Sequence, residues 1–257
     1  MSSVSRLNQA RRIVLKVGSS SITGINEANL QLIADFANRM KLAGKQLIVV
    51  SSGAIATAAP LIGLTVKSED LPTSQALASI GQARLMGRYE RALAIHDLIP
   101  GQILLTVDNL EQQVSAQNAL LAIERLLEIG VVPIINENDS VATSEIRFGD
   151  NDQLAAKVAK LLGADLLILL SDIDSLYDRP PSEPGAIRLE HIGVDFDVDS
   201  IVVSGTSTGY GTGGAVTKLV AARQATAAGI GVLLTETRNI VLLDTQDIIH
   251  TWFEPAV

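Results

Sequence analysis

The sequence predicts an α/β fold, a mostly parallel sheet with helices on both faces. Three observations carry this. Short runs of Val, Ile and Leu alternate along the chain with amphipathic segments of helical length. The strand-like runs, "LIVV" and "LLILL" among them, are apolar throughout, as strands buried on both faces should be. Aromatic residues make up only 3% of the chain while Ala, Leu, Ile, Val and Gly dominate, which suits α/β layers better than a β-sandwich.

Residues 12–18, "RIVLKVG", read as a first strand running into Gly-Ser-Ser. Residues 26–44 read as a helix with Leu30, Ile33, Phe36 or Ala37, and Met40 on one face, Asn26 as its N-cap and Gly44 closing it. A second buried strand, 46–54, contains Ser-Ser-Gly near its end. A long helical region, 73–97, lies between Pro72 and Pro100, weakened locally by Gly81 and Gly87. Strand 102–106, helix 115–129, strand 131–136, helix 152–162, strand 165–172, helix 214–228 and strand 231–235 continue the alternation, with "IVLL" at 240–243 as a further short strand. Residues 173–213 break it: "DRPPSEPG" and a Gly/Ser/Thr-rich tail read as an extended hairpin and loop. No repeat, low-complexity tract or long linker divides the chain.

With 257 residues, 47% of them hydrophobic, the chain can bury one large core or two closely joined lobes. A net charge of −8 and a pI near 4.9 argue against a nucleic-acid or anionic-membrane surface. The absence of cysteine excludes disulfides and thiolate metal sites and fits a reducing cytosol. The start, "MSSVSRLNQARR", has no apolar stretch of the signal-peptide kind, and no apolar run is long enough to span a bilayer. The expectation is a soluble cytoplasmic protein.

In parallel sheets ligands bind outside the carboxyl ends of the strands. The polar sequences gather there: "KVGSSS", "VSSGA", "NEND" and "LSD". Lys16, beside Gly18, suits a phosphate, the alternative being a lysine that snorkels from a strand end. Ser51, Ser52 and Gly53 either cradle an anion or cap the next helix. "GTGGAVTK" (211–218) puts Gly211, Gly213 and Gly214 ahead of a helix start, with Lys218 about one turn in; its alternative is a Gly-rich surface loop. It fits neither the P-loop nor the dinucleotide pattern. Ser171 and Asp172 can touch a ribose, a phosphate or a metal-bound water, or simply cap a turn.

The densest polar stretch is "INENDSVATSEIRFGDND" (135–152), with Asn136, Glu137, Asn138 and Asp139 in one run and Asp150, Asn151 and Asp152 in another. Oxygen ligands suit magnesium bound together with substrate phosphates. Carboxylates and amides equally suit the ammonium and carboxylate groups of an amino acid. A purely structural Asn/Asp-rich turn is the third reading. The histidines (His96, His191, His250) are scattered, and Trp252 and Phe253 read as packing residues.

In order, "KVGSS", "VSSGAIA", "IGQARL", "VPIINENDSVATSEIRFGDND", "LGADLLILLSDIDSLY" and "GTGGAVTK" resemble the amino acid kinase family, and within it the branch that phosphorylates free glutamate. The resemblance runs from about residue 11 to 250, and its most specific part is "INEND" followed by "GDND". It implies a three-layer αβα sandwich in one kinase domain, with glutamate on the side of residues 1–170 and ATP with Mg²⁺ on the side of residues 171–257. By position, Lys16 and Lys218 match the lysines that neutralise the transferring phosphoryl group, and Asp150 an acid that organises the centre. Ser52, Asp139 and Asn151 match glutamate-binding residues, with Asn136 nearby. Ser171, Asp172, Thr212, Gly213, Gly214 and Lys218 match nucleotide-binding segments, Lys16 also facing the nucleotide.

The resemblance further implies a dimer or tetramer and functional pairing with a glutamyl phosphate reductase. Three departures accompany it. Many relatives carry a C-terminal PUA domain, and here the chain stops at Val257. Ser175 stands where relatives often have glycine, and "TAAPLIG" (57–63) replaces the usual Gly-Arg. Acetylglutamate, aspartate and uridylate kinases, and a non-catalytic sensor of the same fold, are the rival expectations.

Overall fold

The computed structural model describes residues 1–64, 70–141, 151–179, 183–194 and 215–256. In chain order the elements are α1 (Ser3–Gln9), β1 (Arg12–Val17), α2 (Ser19–Ile22), α3 (Asn29–Leu42), β2 (Gln46–Ser51), α4 (Ala54–Ile62), α5 (Leu71–Ala94) and β3 (Pro100–Leu105). There follow α6 (Val107–Glu111), α7 (Gln113–Glu128), β4 (Val132–Glu137), α8 (Asn151–Leu162), β5 (Leu166–Ser171) and the short strands β6 (Leu176–Tyr177), β7 (Arg188–Leu189) and β8 (His191–Ile192). Last come α9 (Ala215–Thr226), β9 (Gly231–Glu236) and β10 (Thr251–Phe253).

Among the described residues, eight strands form one sheet in the order β3-β4-β2-β1-β5-β9-β10-β8. Every pairing is parallel except β9 with β10. β6 and β7 form a separate antiparallel hairpin within the segment expected to be one. Because successive strand residues point to opposite faces, each central strand feeds two cores. Ile13, Leu15 and Val17 of β1 pack with α1, α3 and α5 on one face, while Val14 packs with α8 and α9 on the other. β2 and β5 divide in the same way, Leu47 and Val49 against Ile48 and Val50, and Leu166, Ile168 and Leu170 against Leu167 and Leu169. The result is the three-layer αβα arrangement.

The expected helix face of Leu30, Ile33, Phe36, Ala37 and Met40 is buried as its spacing implies. Three local expectations need correction. Asn26 does not cap α3, which begins after Ala28; its side chain instead donates to the Ser20 carbonyl across a 3₁₀ turn at Gly24–Asn26. β2 stops at Ser51, because Gly53 takes a positive φ of 110° and turns the chain directly into α4. Residues 240–243 are no strand: Thr237–Val241 form a 3₁₀ helix that buries Ile240 against the α3 face. The next strand is β10, which lies between β9 and β8 in the sheet and whose Trp252 and Phe253 are buried packing residues as expected.

Candidate active site

The alternation along β1 decides where Lys16 goes. It lies on the same face as Val14, beneath α8 and α9, with 5% of its surface exposed. An ammonium buried there needs an anion. Asp152, the second residue of α8 and 0% exposed, supplies it at 2.5 Å from Lys16 Nζ. Lys218, in the first turns of α9, approaches the same carboxylate at 3.6 Å, and Thr217 Oγ1 donates to it at 2.9 Å. A carboxylate in the first turn of a helix also meets the positive end of the helix dipole.

Two buried ammonium groups thus share one buried carboxylate. Burial works to raise the Asp152 carboxyl, but the charges of Lys16 and Lys218 and the hydrogen bonds from Lys16 and Thr217 outweigh it. The carboxyl is held below its ordinary range and stays ionised. Lys218 is pushed below the ordinary lysine range, by burial first and by the charge of Lys16, against the pull of Asp152 and Asp172. This concentrates positive charge at the carboxyl ends of β1 and β5, a place suited to a phosphate.

The residue before Asp152 faces the other way into a chain of amides. Asn151 Nδ2 donates to Ser52 Oγ at 2.9 Å and to Asn136 Oδ1 at 3.1 Å. Asn136, next to last in β4, lies on the face of Val132 and Ile134, turned toward α5, and its Nδ2 donates to Gln82 Oε1 at 2.7 Å. The Glu137 backbone N–H donates back to Asn136 Oδ1 at 2.8 Å. Ser52 does not cap α4, whose N-cap is Gly53; its hydroxyl belongs to this amide cluster. Behind it, Tyr89 donates to Ser51 Oγ at 2.8 Å and Ser51 to the Ser52 carbonyl at 2.9 Å, which pins the turn. Asp139 follows β4, and burial pushes its carboxyl up to about 6.

At the end of β5, Ser171 is buried and donates to Asp172 Oδ1 at 3.1 Å, while Asp172 is exposed. The Ser171 carbonyl lies 3.0 Å from Thr237 Oγ1, itself 2.7 Å from Ser21 Oγ in α2, the short helix after β1. Lys16, Lys218, Ser52, Asn136, Asn151 and Ser171 are therefore gathered at the carboxyl ends of the central strands. Asp150, Thr212, Gly213 and Gly214 lie outside the described residues. Two members were given no role of their own by sequence reasoning. Asp152 was named only as part of the run with Asp150 and Asn151, without its pairing to the lysines. Gln82 carried no signal beyond its place in "IGQARL".

The amino acid kinase family matches residues 11–236. A glutamate 5-kinase of Clavibacter michiganensis subsp. michiganensis is 50% identical over 246 residues, covering 96% of this chain and 95% of that protein. One of Leifsonia xyli subsp. xyli is 48% identical over 98% of this chain and 93% of its own length. One of Thermobifida fusca is 47% identical over 96% of this chain but only 65% of its own length. Among solved structures, carbamate kinase from Giardia lamblia bound to AMP-PNP superimposes with a TM-score of 0.66 at 14% identity, covering 97% of this chain and 100% of that one. UMP kinase from Ureaplasma parvum gives a TM-score of 0.63 at 17% identity, covering 96% and 99%. These two speak to the fold alone.

Proposed function

The chain belongs to the amino acid kinase family, and we propose that it transfers the γ-phosphoryl group of ATP to the side-chain carboxylate of free L-glutamate, yielding γ-glutamyl phosphate and ADP. The near-full-length similarity to glutamate 5-kinases supports the substrate. The observation that carries the mechanism is the pair Asn151–Asp152. Consecutive residues at the start of α8 join an amide cluster suited to an amino acid with a buried lysine pair suited to a phosphate.

A carboxylate is already a nucleophile, so the reaction needs no strong base. The obstacle is bringing one anion in line with a polyanion, and phosphoryl transfer is chiefly positioning and charge stabilisation. A glutamate side-chain oxygen forms the new bond to the γ-phosphorus while the bond to the β–γ bridging oxygen breaks and its electron pair leaves with ADP. Lys16 and Lys218 neutralise the equatorial oxygens as charge spreads onto them. Asp152 holds both ammonium groups at one place. Ser52, Asn136 and Asn151 orient the amino acid, and Asp139 receives its ammonium group. Asp150 and the segment with Thr212, Gly213 and Gly214 complete the centre and the nucleotide side, with Ser171 and Asp172 at the end of β5.

Among the described residues no group of three or more acidic or imidazole side chains is poised around one point. Magnesium bound with ATP needs only one or two protein carboxylates, the substrate phosphates supplying further oxygens. Exposed Asp172 would hold it through water. Magnesium supplies neutralisation of phosphate charge when bound with ATP.

Residues 1–170 form the glutamate side and residues 171–257 the nucleotide side of one continuous sheet. No described helix is long and apolar enough to cross a membrane. We place the protein in the cytoplasm as a dimer or tetramer, acting ahead of a reductase that consumes the labile acyl phosphate in proline formation. Hydroxylamine trapping with Mg-ATP tests the reaction: an acyl hydroxamate should form with L-glutamate and not with N-acetylglutamate or aspartate, and UMP should give no ADP release. ADP release with another acceptor in the panel, or glutamate and ATP binding with no hydroxamate, would overturn it.

A further inference from the structure

Amide groups usually leave oxygen and nitrogen interchangeable. Here one partner is a backbone N–H, which can only donate. Because Glu137 N–H points at Asn136 at 2.8 Å, the atom it meets must be oxygen. The Asn136 NH₂ then faces Gln82, so Gln82 must present its oxygen, at 2.7 Å. Asn151 meets the Asn136 oxygen at 3.1 Å and must present its NH₂. The polarity of the whole chain is fixed from one end. Two buried atoms, Gln82 Nε2 and Asn151 Oδ1, are left without a hydrogen-bond partner among the described residues, one a donor and one an acceptor. Buried polar atoms are seldom left so. The ammonium group of an amino acid is the complement of the Asn151 oxygen.

We propose that Gln82 is a positioning residue for the amino-acid substrate. Its oxygen accepts from Asn136 and so holds Asn136 and Asn151 in the orientation that keeps Asn151 Oδ1 available to an ammonium group. This rests on the glutamate reading of the same site. The backbone is built to deliver Gln82 there. A Cβ on Gly81 would lie 1.8 Å from the Ala54 carbonyl oxygen, so α5 runs against the first residue of α4, immediately after the Ser52–Gly53 turn. One helix thereby sets the distance between Ser52 and Asn136, the two partners of Asn151. Among long side chains that can enter this position, only Gln and Glu offer an acceptor at the required reach. Glutamine does so without adding a charge.

Gln82→Met keeps the length and removes the acceptor; Gln82→Glu keeps the acceptor. The KM for L-glutamate is expected to rise at least about tenfold in Gln82→Met, with the KM for ATP and kcat within about threefold of the parent, one lost charge-free polar contact being of that order. Gln82→Glu should recover at least about threefold of that loss. Calorimetric L-glutamate binding should follow the same ranking without nucleotide. It reads Gln82 independently of turnover, so a parent protein that bound glutamate but made no hydroxamate would count against the proposed reaction and not against Gln82. Unchanged glutamate affinity in Gln82→Met would overturn the assignment. So would a defect shared equally by ATP KM and kcat, or a Gln82→Glu variant as poor as Gln82→Met.

Discussion

Removing the charge of Asp152 should damage the fold and the reaction in separable ways. In Asp152→Asn, Lys16 and Lys218 lose a carboxylate that lies 2.5 and 3.6 Å from them and is 0% exposed. At an effective dielectric constant of about 20 each attraction is of order 5 kcal/mol, most of it opposed by desolvation. What remains after the change is two buried ammonium groups with their shared partner gone, and breaking a buried pair in this way costs about 3–5 kcal/mol. For a chain of this size that corresponds to a fall in Tm of roughly 6–20 °C. The sign with pH follows from the depressed carboxyl. Its contribution is fully present above the ordinary value of 3.8 and is lost as pH falls through the folded value, so the parent and the variant should converge in strong acid. Thermal melts with and without Mg-AMP-PNP make the test. The nucleotide should restore part of the lost Tm, because phosphate oxygens replace the missing anion, while kcat stays at least about 100-fold down. A variant as stable as the parent without nucleotide, or one with normal turnover, would refute the assigned role.

Lys218→Ala, and equally Lys16→Ala, should lower kcat by at least about 100-fold in the hydroxamate assay, the usual loss for one preorganised donor at a transition state. Asp139 gives a pH signature: burial holds its carboxyl at about 6, and an ammonium group needs it ionised. The KM for L-glutamate should rise as pH falls below that value and level off above it, and Asp139→Asn should abolish the bend. Gly81→Ala should destabilise the protein by about 1–3 kcal/mol or more, since its Cβ would lie 1.8 Å from the Ala54 carbonyl oxygen; urea denaturation measures it.

Much of this arrangement was legible in the chain. Apolar runs in "RIVLKVG", "LIVV" and "LLILL" gave the parallel strands, and period-two alternation then sends Lys16 to one face and Asn136 to the other. Polar residues at strand ends marked where Lys16, Ser52, Asn136 and Ser171 gather. The pairing of Asp152 was not legible because its partners are far apart in sequence: nothing local distinguishes an acid that begins a helix from one that neutralises Lys16 and Lys218. Gln82 was missed for a similar reason. A glutamine in a helix is usually solvated, and only the contact of Gly81 with Ala54 brings this one to Asn136. Helix α4 went unseen because Gly53 bends the chain at the end of a strand whose apolar pattern carries on into Ala54. The 3₁₀ turn at Thr237–Val241 carries the same apolar residues as a short strand, and no periodicity separates the two over so few positions.

A crystal structure with L-glutamate and Mg-AMP-PNP together would test the central geometry most directly. The terminal phosphate should lie within about 3 Å of both Lys16 Nζ and Lys218 Nζ, with the substrate side-chain carboxylate in line and its ammonium group between Asp139 and Asn151. Glutamate bound away from Ser52, Asn136 and Asn151, or a terminal phosphate out of reach of either lysine, would contradict it.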